Sequence, residues 1–293
     1  MRVLVSGSSG LVGSALIPAL ANAGHTEVRL VRRGPAANEI RWDPGGVESG
    51  TLEGFDAVVH LAGESIAGPW TAAKKGRIRD SRVQGTSTLA AALARTGRPP
   101  KVMVCPSAIG IYGNRGDEVL REESAPGSDF LAEVGKQWEA ATEPAAKAGI
   151  RVVSLRIGVV LSPRGGALAR MLPPFRMGAG GRIGRGRQWM SWITLDDIVG
   201  VIQHVLATDS LRGPVNAVAP NPVTNAEFTR ALGEVLRRPT IFPLPAFIVR
   251  LMFGEMGEAL LLGSQRVDCG KLLGSGYRFR HPELKPALEQ MLP

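Results

Sequence analysis

The stretch Arg2-Val3-Leu4-Val5-Ser6-Gly7-Ser8-Ser9-Gly10-Leu11-Val12-Gly13-Ser14 decides the fold. Residues 2–6 form an apolar run of strand length, and three glycines at every third position follow it. Each glycine answers a different steric demand. Gly7 permits the tight turn off the strand, Gly10 lets a ligand approach the backbone, and Gly13 lets a helix pack closely on the sheet. Ser14 to Ala23 reads as that helix, closed by Gly24, and Glu27 to Val31 as the next strand. A strand, a glycine turn, a helix and a strand within about 30 residues is the context in which such glycines grip a diphosphate at a helix N-terminus. The alternative is a purely structural glycine turn.

Working outward, the period of the apolar residues alternates between strand and helix. Ala57 to Leu61, Val102 to Cys105, Val152 to Arg156 and Val215 to Val218 read as buried strands. Val83 to Arg95, Phe130 to Ala148 (stopped by Gly149) and Ile198 to Ala207 read as helices, and Asn225 as the cap of a helix beginning near Ala226. The pattern predicts an α/β protein: a Rossmann-type, doubly wound parallel sheet with a smaller C-terminal lobe on the substrate side. Residues 1–222 are expected to form the dinucleotide-binding domain, with the Gly-rich segment 163–190 contributing to the substrate side. Residues 223–293 are expected to form a mostly helical C-terminal domain.

The end of the second strand bears on which dinucleotide binds. A carboxylate there suits the ribose hydroxyls of NAD, but Val31 is followed by Arg32 and Arg33. Guanidinium groups pair with phosphate in bidentate fashion, so NADP is the expected cofactor. A solvated basic turn before Gly34-Pro35 is the alternative. The cofactor-binding set read here is Gly7, Ser9, Gly10, Leu11, Val12, Gly13, Arg32 and Arg33.

Composition narrows the remaining classes. The 293 residues are 44% hydrophobic and 21% charged, ordinary values for a chain that buries a core. The net charge is +9, yet the arginines are dispersed and aromatics make up only 5%, which leaves few stacking platforms; nucleic acid is not the expected partner. Two distant cysteines, Cys105 and Cys269, fit a reducing compartment rather than a disulfide framework, and the four histidines have no metal-site spacing. No apolar run reaches membrane-spanning length and no secretory signal is visible, so the chain is expected to be soluble and cytoplasmic.

Several segments resemble the short-chain dehydrogenase/reductase superfamily in its extended or atypical branch. Leu61-Ala62-Gly63 matches its turn beside the cofactor. Pro106-Ser107-Ala108 with Tyr112-Gly113, and Trp192-Ile193-Thr194-Leu195-Asp196-Asp197-Ile198, resemble segments of sugar-nucleotide epimerases. A narrower set covers nearly the whole chain: Leu61 to Ile66, Ser81-Arg82, Gly158 to Leu161, Met171 to Phe175, Gly184-x-Gly186-x-Gln188, Leu244-Pro245-Ala246 and Gly276-Tyr277-x-Phe279. Together they are similar to the epimerase family proteins sometimes labelled cell-division inhibitors, which carry a C-terminal domain of unknown function. This resemblance implies that Leu61, Ala62, Arg82 and Val160 also meet the cofactor.

The superfamily's usual acid–base pair is a tyrosine and a lysine one helical turn apart, the lysine charge lowering the tyrosine pKa. Aligning Glu139 with the family's helix glutamate puts Leu131 and Gly135 at those positions. Lys136 falls one residue late, about 100° round the helix. The remaining candidates for proton transfer are Ser107, Tyr112 and Glu64, each with a bland alternative as a turn cap, a packed ring or a solvated carboxylate. Asp196 and Asp197 open a helix, where carboxylates suit the dipole. Arg182, Arg185 and Arg187 either close over an anionic small-molecule substrate or form a solvated basic loop. The expectation is an NADP(H)-dependent oxidoreductase or epimerase-like enzyme, monomeric or homodimeric. The alternative is a non-catalytic NADP(H)-responsive binding protein.

Overall fold

The computed structural model describes residues 1–33, 36–43, 46 and 49–292, so the expected Gly34-Pro35 turn lies outside the described residues. Seven strands form the main sheet: β1 (Arg2–Ser6), β2 (Thr26–Val31), β3 (Glu39–Arg41), β4 (Ala57–His60), β5 (Val102–Ala108), β6 (Arg151–Ile157) and β7 (Gly213–Ala217). Their spatial order is β3-β2-β1-β4-β5-β6-β7 and every pairing is parallel. This is the doubly wound order, with its switch point between β1 and β4.

The helices are α1 (Leu11–Asn22), α2 (Ala72–Leu93), α3 (Phe130–Ala140), α4 (Glu143–Lys147), α5 (Gly166–Arg176), α6 (Leu195–Ala207), α7 (Asn225–Leu236), α8 (Ala246–Gly257), α9 (Gly270–Gly274) and α10 (Leu284–Met291). Successive side chains of a strand point to opposite faces, so β1 sends Val3 and Val5 to one core and Leu4 to another. The first core holds Leu16 and Leu20 of α1 and Ile198 and Val201 of α6, and the second holds Leu89 and Leu93 of α2. A third core makes the smaller lobe, from Leu168 and Phe175 of α5, Phe228 and Leu232 of α7 and Leu284 and Leu288 of α10. The tail does not stay within that lobe: Val267, Leu272 and Tyr277 return to the first core, beside the sheet.

Three local expectations differ from the structure, and one strand, β3, is unexpected. Helix α2 starts at Ala72, eleven residues before Val83, because Thr71 caps it by accepting from the Lys74 amide at 3.2 Å. Its first half carries Lys74, Lys75, Gly76, Arg77, Arg79 and Asp80, with Ile78 its one buried side chain, so no apolar period marks it. The long helix from Phe130 ends at Ala140 and α4 restarts at Glu143; Pro144 lacks the amide that continuity requires. Thr224, not Asn225, caps α7, in a reciprocal box with Glu227. Asn225 instead accepts the Ile183 amide at 2.7 Å and so ties the Gly-rich segment to α7. The short edge strand β3 carries too few residues to show a period.

Asp197 locks the lobe to the sheet. It is fully buried in the first turn of α6, and its carboxylate accepts from the Thr194 hydroxyl (2.9 Å), the Tyr277 hydroxyl (3.1 Å) and the amides of Arg280 (2.8 Å) and His281 (3.0 Å). The Tyr277 ring packs against Phe279, and burial together with the Asp197 charge pushes its phenol pKa upward. Asp197→Ala strands the Arg280 and His281 amides, while the Tyr277 hydroxyl keeps the main-chain oxygen of residue 197, to which it also donates at 3.0 Å. It is expected to lower unfolding stability by about 3 kcal/mol, since each stranded buried donor costs about 1–3 kcal/mol before relaxation. Urea denaturation of both forms measures this; a loss below about 0.5 kcal/mol would show that solvent or the tail itself satisfies those donors.

Candidate functional site

The glycine turn sits at the switch point, over the carboxyl ends of β1 and β4. Gly7 has φ of 67°, and a Cβ there would stand 2.6 Å from the Leu61 carbonyl carbon. A Cβ on Gly13 would stand 2.2 Å from the Gly7 oxygen, so the helix can approach this closely only without one. Gly10 differs: its Cβ would meet only the Gly7 oxygen, at 3.3 Å, and it lines an open cleft of about 320 Å³ with Ser9, Leu11, Ser14, Arg164 and Gly165. Gly10 caps α1 without a side chain, and no acidic residue occupies the first turn. The first-turn amides are therefore left for an anion, which the helix dipole favours.

Under the cleft, Ser6 and His60 are register partners on β1 and β4. Ser6 Oγ lies 2.7 Å from His60 Nδ1 and accepts from the Ala62 amide at 3.2 Å. That bond fixes the Leu61-Ala62 backbone against the Gly7 turn. His60 is fully buried with no charged partner, and burial lowers its pKa to about 4.

The other residues expected to meet the cofactor distribute unevenly. Ser9 is exposed, Leu11 and Val12 are half-buried at the start of α1, and Leu61 and Ala62 are half-buried past β4. Val160 is half-buried in the short strand Val159–Leu161, which pairs with Trp192–Thr194. Arg32 and Arg33 are exposed beyond β2. Arg82 is engaged elsewhere: it donates to the Glu64 carbonyl (2.9 Å) and the Ile78 carbonyl (3.1 Å) and lies over the Trp138 ring. Burial lowers its pKa to about 10. Its visible work is to hold the loop after β4 against α2.

The three residues expected to move protons do not converge. Tyr112 is fully buried; its hydroxyl donates to Asn216 Oδ1 at 2.7 Å and accepts from Arg156 at 3.0 Å. Ser107 is buried and donates to Glu139 Oε1 at 2.7 Å. Glu64 stands apart on the loop after β4, bonded to the Lys74 ammonium at 2.7 Å, and this bond pulls its pKa down. Burial raises the Tyr112 pKa, against the pull of the Arg156 charge.

Sequence reasoning missed what Ser107 and Tyr112 join. Ser107, Arg156 and Asn216 stand side by side in register across β5, β6 and β7. Arg156 grips Glu139 with Nε and Nη2 (2.8 and 2.9 Å) and donates Nη1 to the Glu122 carbonyl at 2.9 Å. Glu122 in turn accepts the Asn216 amide at 2.8 Å. The network borders a cavity of about 220 Å³ that Ser124 and Lys136 also line, Lys136 being paired with Glu133. The signal available in advance was three polar residues at matching positions near the ends of apolar strands. Next to the network, Ala108 is exposed, Leu131 packs where a Gly110 Cβ would be 3.3 Å away, and Gly135 packs on Ile111.

The pattern of the NAD dependent epimerase/dehydratase family matches residues 3–217, and a domain of unknown function (DUF1731) matches residues 244–291. The chain is 47% identical over 290 residues to the epimerase family protein Mb2239 of Mycobacterium bovis, covering 98% of this chain and 96% of that one. It belongs to the epimerase family. Among solved structures, human epimerase family protein SDR39U1, crystallised with NADPH, superposes with a TM-score of 0.93 at 36% identity, over 99% of both chains. UDP-N-acetylglucosamine 4-epimerase from Bacillus cereus shares the fold of this epimerase-family chain, with a TM-score of 0.79 at 17% identity. Among the described residues no helix is long and apolar enough to cross a membrane, and no cluster of His, Cys, Asp and Glu could hold a metal. Cys105 is buried and its pKa is pushed up to about 12, which suits a core residue rather than a nucleophile.

His60 gives this region a pH dependence. Its folded-state pKa lies below the ordinary 6.5, so protonation favours the unfolded chain. Its contribution is complete above pH 6.5 and falls away toward pH 4, by about 1.4 kcal/mol per unit and about 3 kcal/mol in all. His60→Asn, which keeps an acceptor for Ser6, is expected to show a shallower stability loss between pH 7 and 5 than the parent. Parallel slopes in denaturant titrations across that range would refute the assignment.

Proposed function

We propose that this chain binds NADP(H) across the carboxyl ends of β1, β2 and β4. The observation that carries this reading is the uncapped first turn of α1 under an open cleft, with glycine at the three positions where a side chain would fill it or block the close approach of the backbone. The diphosphate would rest on the amides of Leu11 and Val12 beside Ser9 and Gly10. Leu61, Ala62 and Val160 would flank the nicotinamide half. Arg32 and Arg33 would take the 2′-phosphate, and Arg82 would shape the site by holding the loop after β4. The NADPH-bound human relative supports the choice of cofactor.

The geometry favours a cofactor-responsive binding protein over a conventional dehydrogenase. Where the superfamily's tyrosine and lysine would stand, this chain has Leu131 and Gly135, and neither can carry a proton. Ser107 and Tyr112 are committed to the Arg156 network. A specific observation keeps an oxidoreductase or epimerase-like reading alongside: Glu64, on the loop after β4 that would meet the nicotinamide, pairs with the Lys74 ammonium at 2.7 Å. In that reading NADPH supplies a hydride, and Lys74 gives a proton to the product oxygen while Glu64 holds it in place. Ser107 and Tyr112 would then act only through the packing beneath.

Two experiments decide. NADPH is expected to bind more tightly than NADH, and Arg32→Ala with Arg33→Ala to weaken NADPH by about tenfold or more while leaving NADH unchanged, as losing a charge-assisted phosphate contact requires. Fluorescence titration reads both; equal affinity for the two cofactors in the parent protein removes the 2′-phosphate assignment. In single-turnover mixing of NADPH-loaded protein with a panel of aldehydes and ketones, the binding reading expects no loss of reduced nicotinamide. Oxidation that disappears in Lys74→Ala establishes the enzyme reading instead.

A further inference from the structure

The loop 162–166 follows the strand Val159–Leu161 and leads into α5. Ser162 Oγ accepts the Arg164 amide at 3.2 Å, which tightens the turn. Gly165 and Gly166 lie on Leu11: a Cβ on either would stand 3.3 Å from a Leu11 methyl. The loop therefore crosses the N-terminus of α1, and Arg164 lines the same cleft as Ser9, Gly10 and Ser14. Arg164 is exposed, and its guanidinium has no hydrogen-bond or ion-pair partner among the described residues. Arg82, by contrast, is spent on backbone carbonyls, and Arg77 lies toward Glu64 at 3.8 Å.

A dinucleotide diphosphate carries two negative charges, and the first-turn amides face it from one side only. A guanidinium arriving from the other side can bridge two phosphate oxygens with its planar fork. We propose that Arg164 is the diphosphate clamp of this cleft, closing over the ligand from the side opposite the α1 amides. This rests on the reading that the cleft takes a dinucleotide. The clamp also joins the two lobes. Arg164 stands two residues before α5, whose Leu168, Leu172 and Phe175 are packed in the smaller lobe, so an ion pair there would tie that lobe to α1 through the ligand.

The experiment compares the parent protein with Arg164→Gln and Arg164→Lys, titrated separately with NADPH and NADH. Thermal melting without cofactor checks that the exposed substitution leaves the fold intact. The expected result is an equal loss for both cofactors in Arg164→Gln, about tenfold in Kd, with unchanged melting and partial recovery in Arg164→Lys. The equal loss is the signature, because both cofactors carry the diphosphate and only one carries the 2′-phosphate. Unchanged affinity in Arg164→Gln overturns the clamp, and so does a loss confined to NADPH, which would move Arg164 to the 2′-phosphate. A parent protein that binds neither cofactor overturns the dinucleotide reading itself, a failure visible before any variant is made.

Discussion

The Gly7 backbone presses against the Leu61-Ala62 peptide with no room for a single carbon between them. Much of the structure follows from that contact. It brings the carboxyl ends of β1 and β4 together at the point where the strand order reverses, and it sets the angle at which α1 leaves the sheet. Helix α1 can take that angle only because Gly13 lets it lie on the Gly7 carbonyl. With both glycines used for backbone approach, Gly10 alone faces outward, and the helix opens onto the cleft without a cap. A gap in local hydrogen bonding thus becomes a place for an anion. The Ser6–Ala62 bond and the buried His60 hold the ends of β1 and β4 in register beneath it.

The network around Arg156 shows what became of the polar groups at the end of β5. A guanidinium with this little exposure is tolerable only when its donors are matched, and Glu139, Tyr112 and the Glu122 carbonyl match them. The same bonds withdraw Ser107 and Tyr112 from solvent. A serine and a tyrosine that look like chemistry in the sequence are thereby bound into the packing between α3 and the sheet. The side chains left beside the network, Ala108 at the end of β5 and Leu131 on α3, are aliphatic.

The fold was legible in the sequence because its strands are short apolar runs between glycine turns, and periodicity reports burial directly. The parallel, doubly wound sheet and the glycine turn after β1 could be read from residue type and spacing; Asp197 was read as a helix-opening carboxylate, but not as the acceptor of the tail donors. Less legible were features that depend on partners distant in sequence. The early start of α2 is masked by charge on a helix that buries only Ile78 in its first half. The Arg156–Glu139 pair joins a strand residue to a helix residue seventeen positions away, which only the packing of α3 on the sheet reveals. Arg164 is visible as a cleft residue only once its loop is seen to cross α1. Tyr112 is a further case: its residue type offers phenol chemistry, but the Asn216 and Arg156 partners that define its surroundings are seen only in the fold.

Asp197 has a consequence for how the molecule can breathe. Its carboxylate holds two tail amides and the Tyr277 hydroxyl inside the core, so the region 277–281 cannot swing away from α6 without stranding a desolvated charge. The smaller lobe is therefore riveted at one end rather than hinged between two rigid halves. Any widening of the cleft would fall to the loops that border it rather than to a swing of the 277–281 segment.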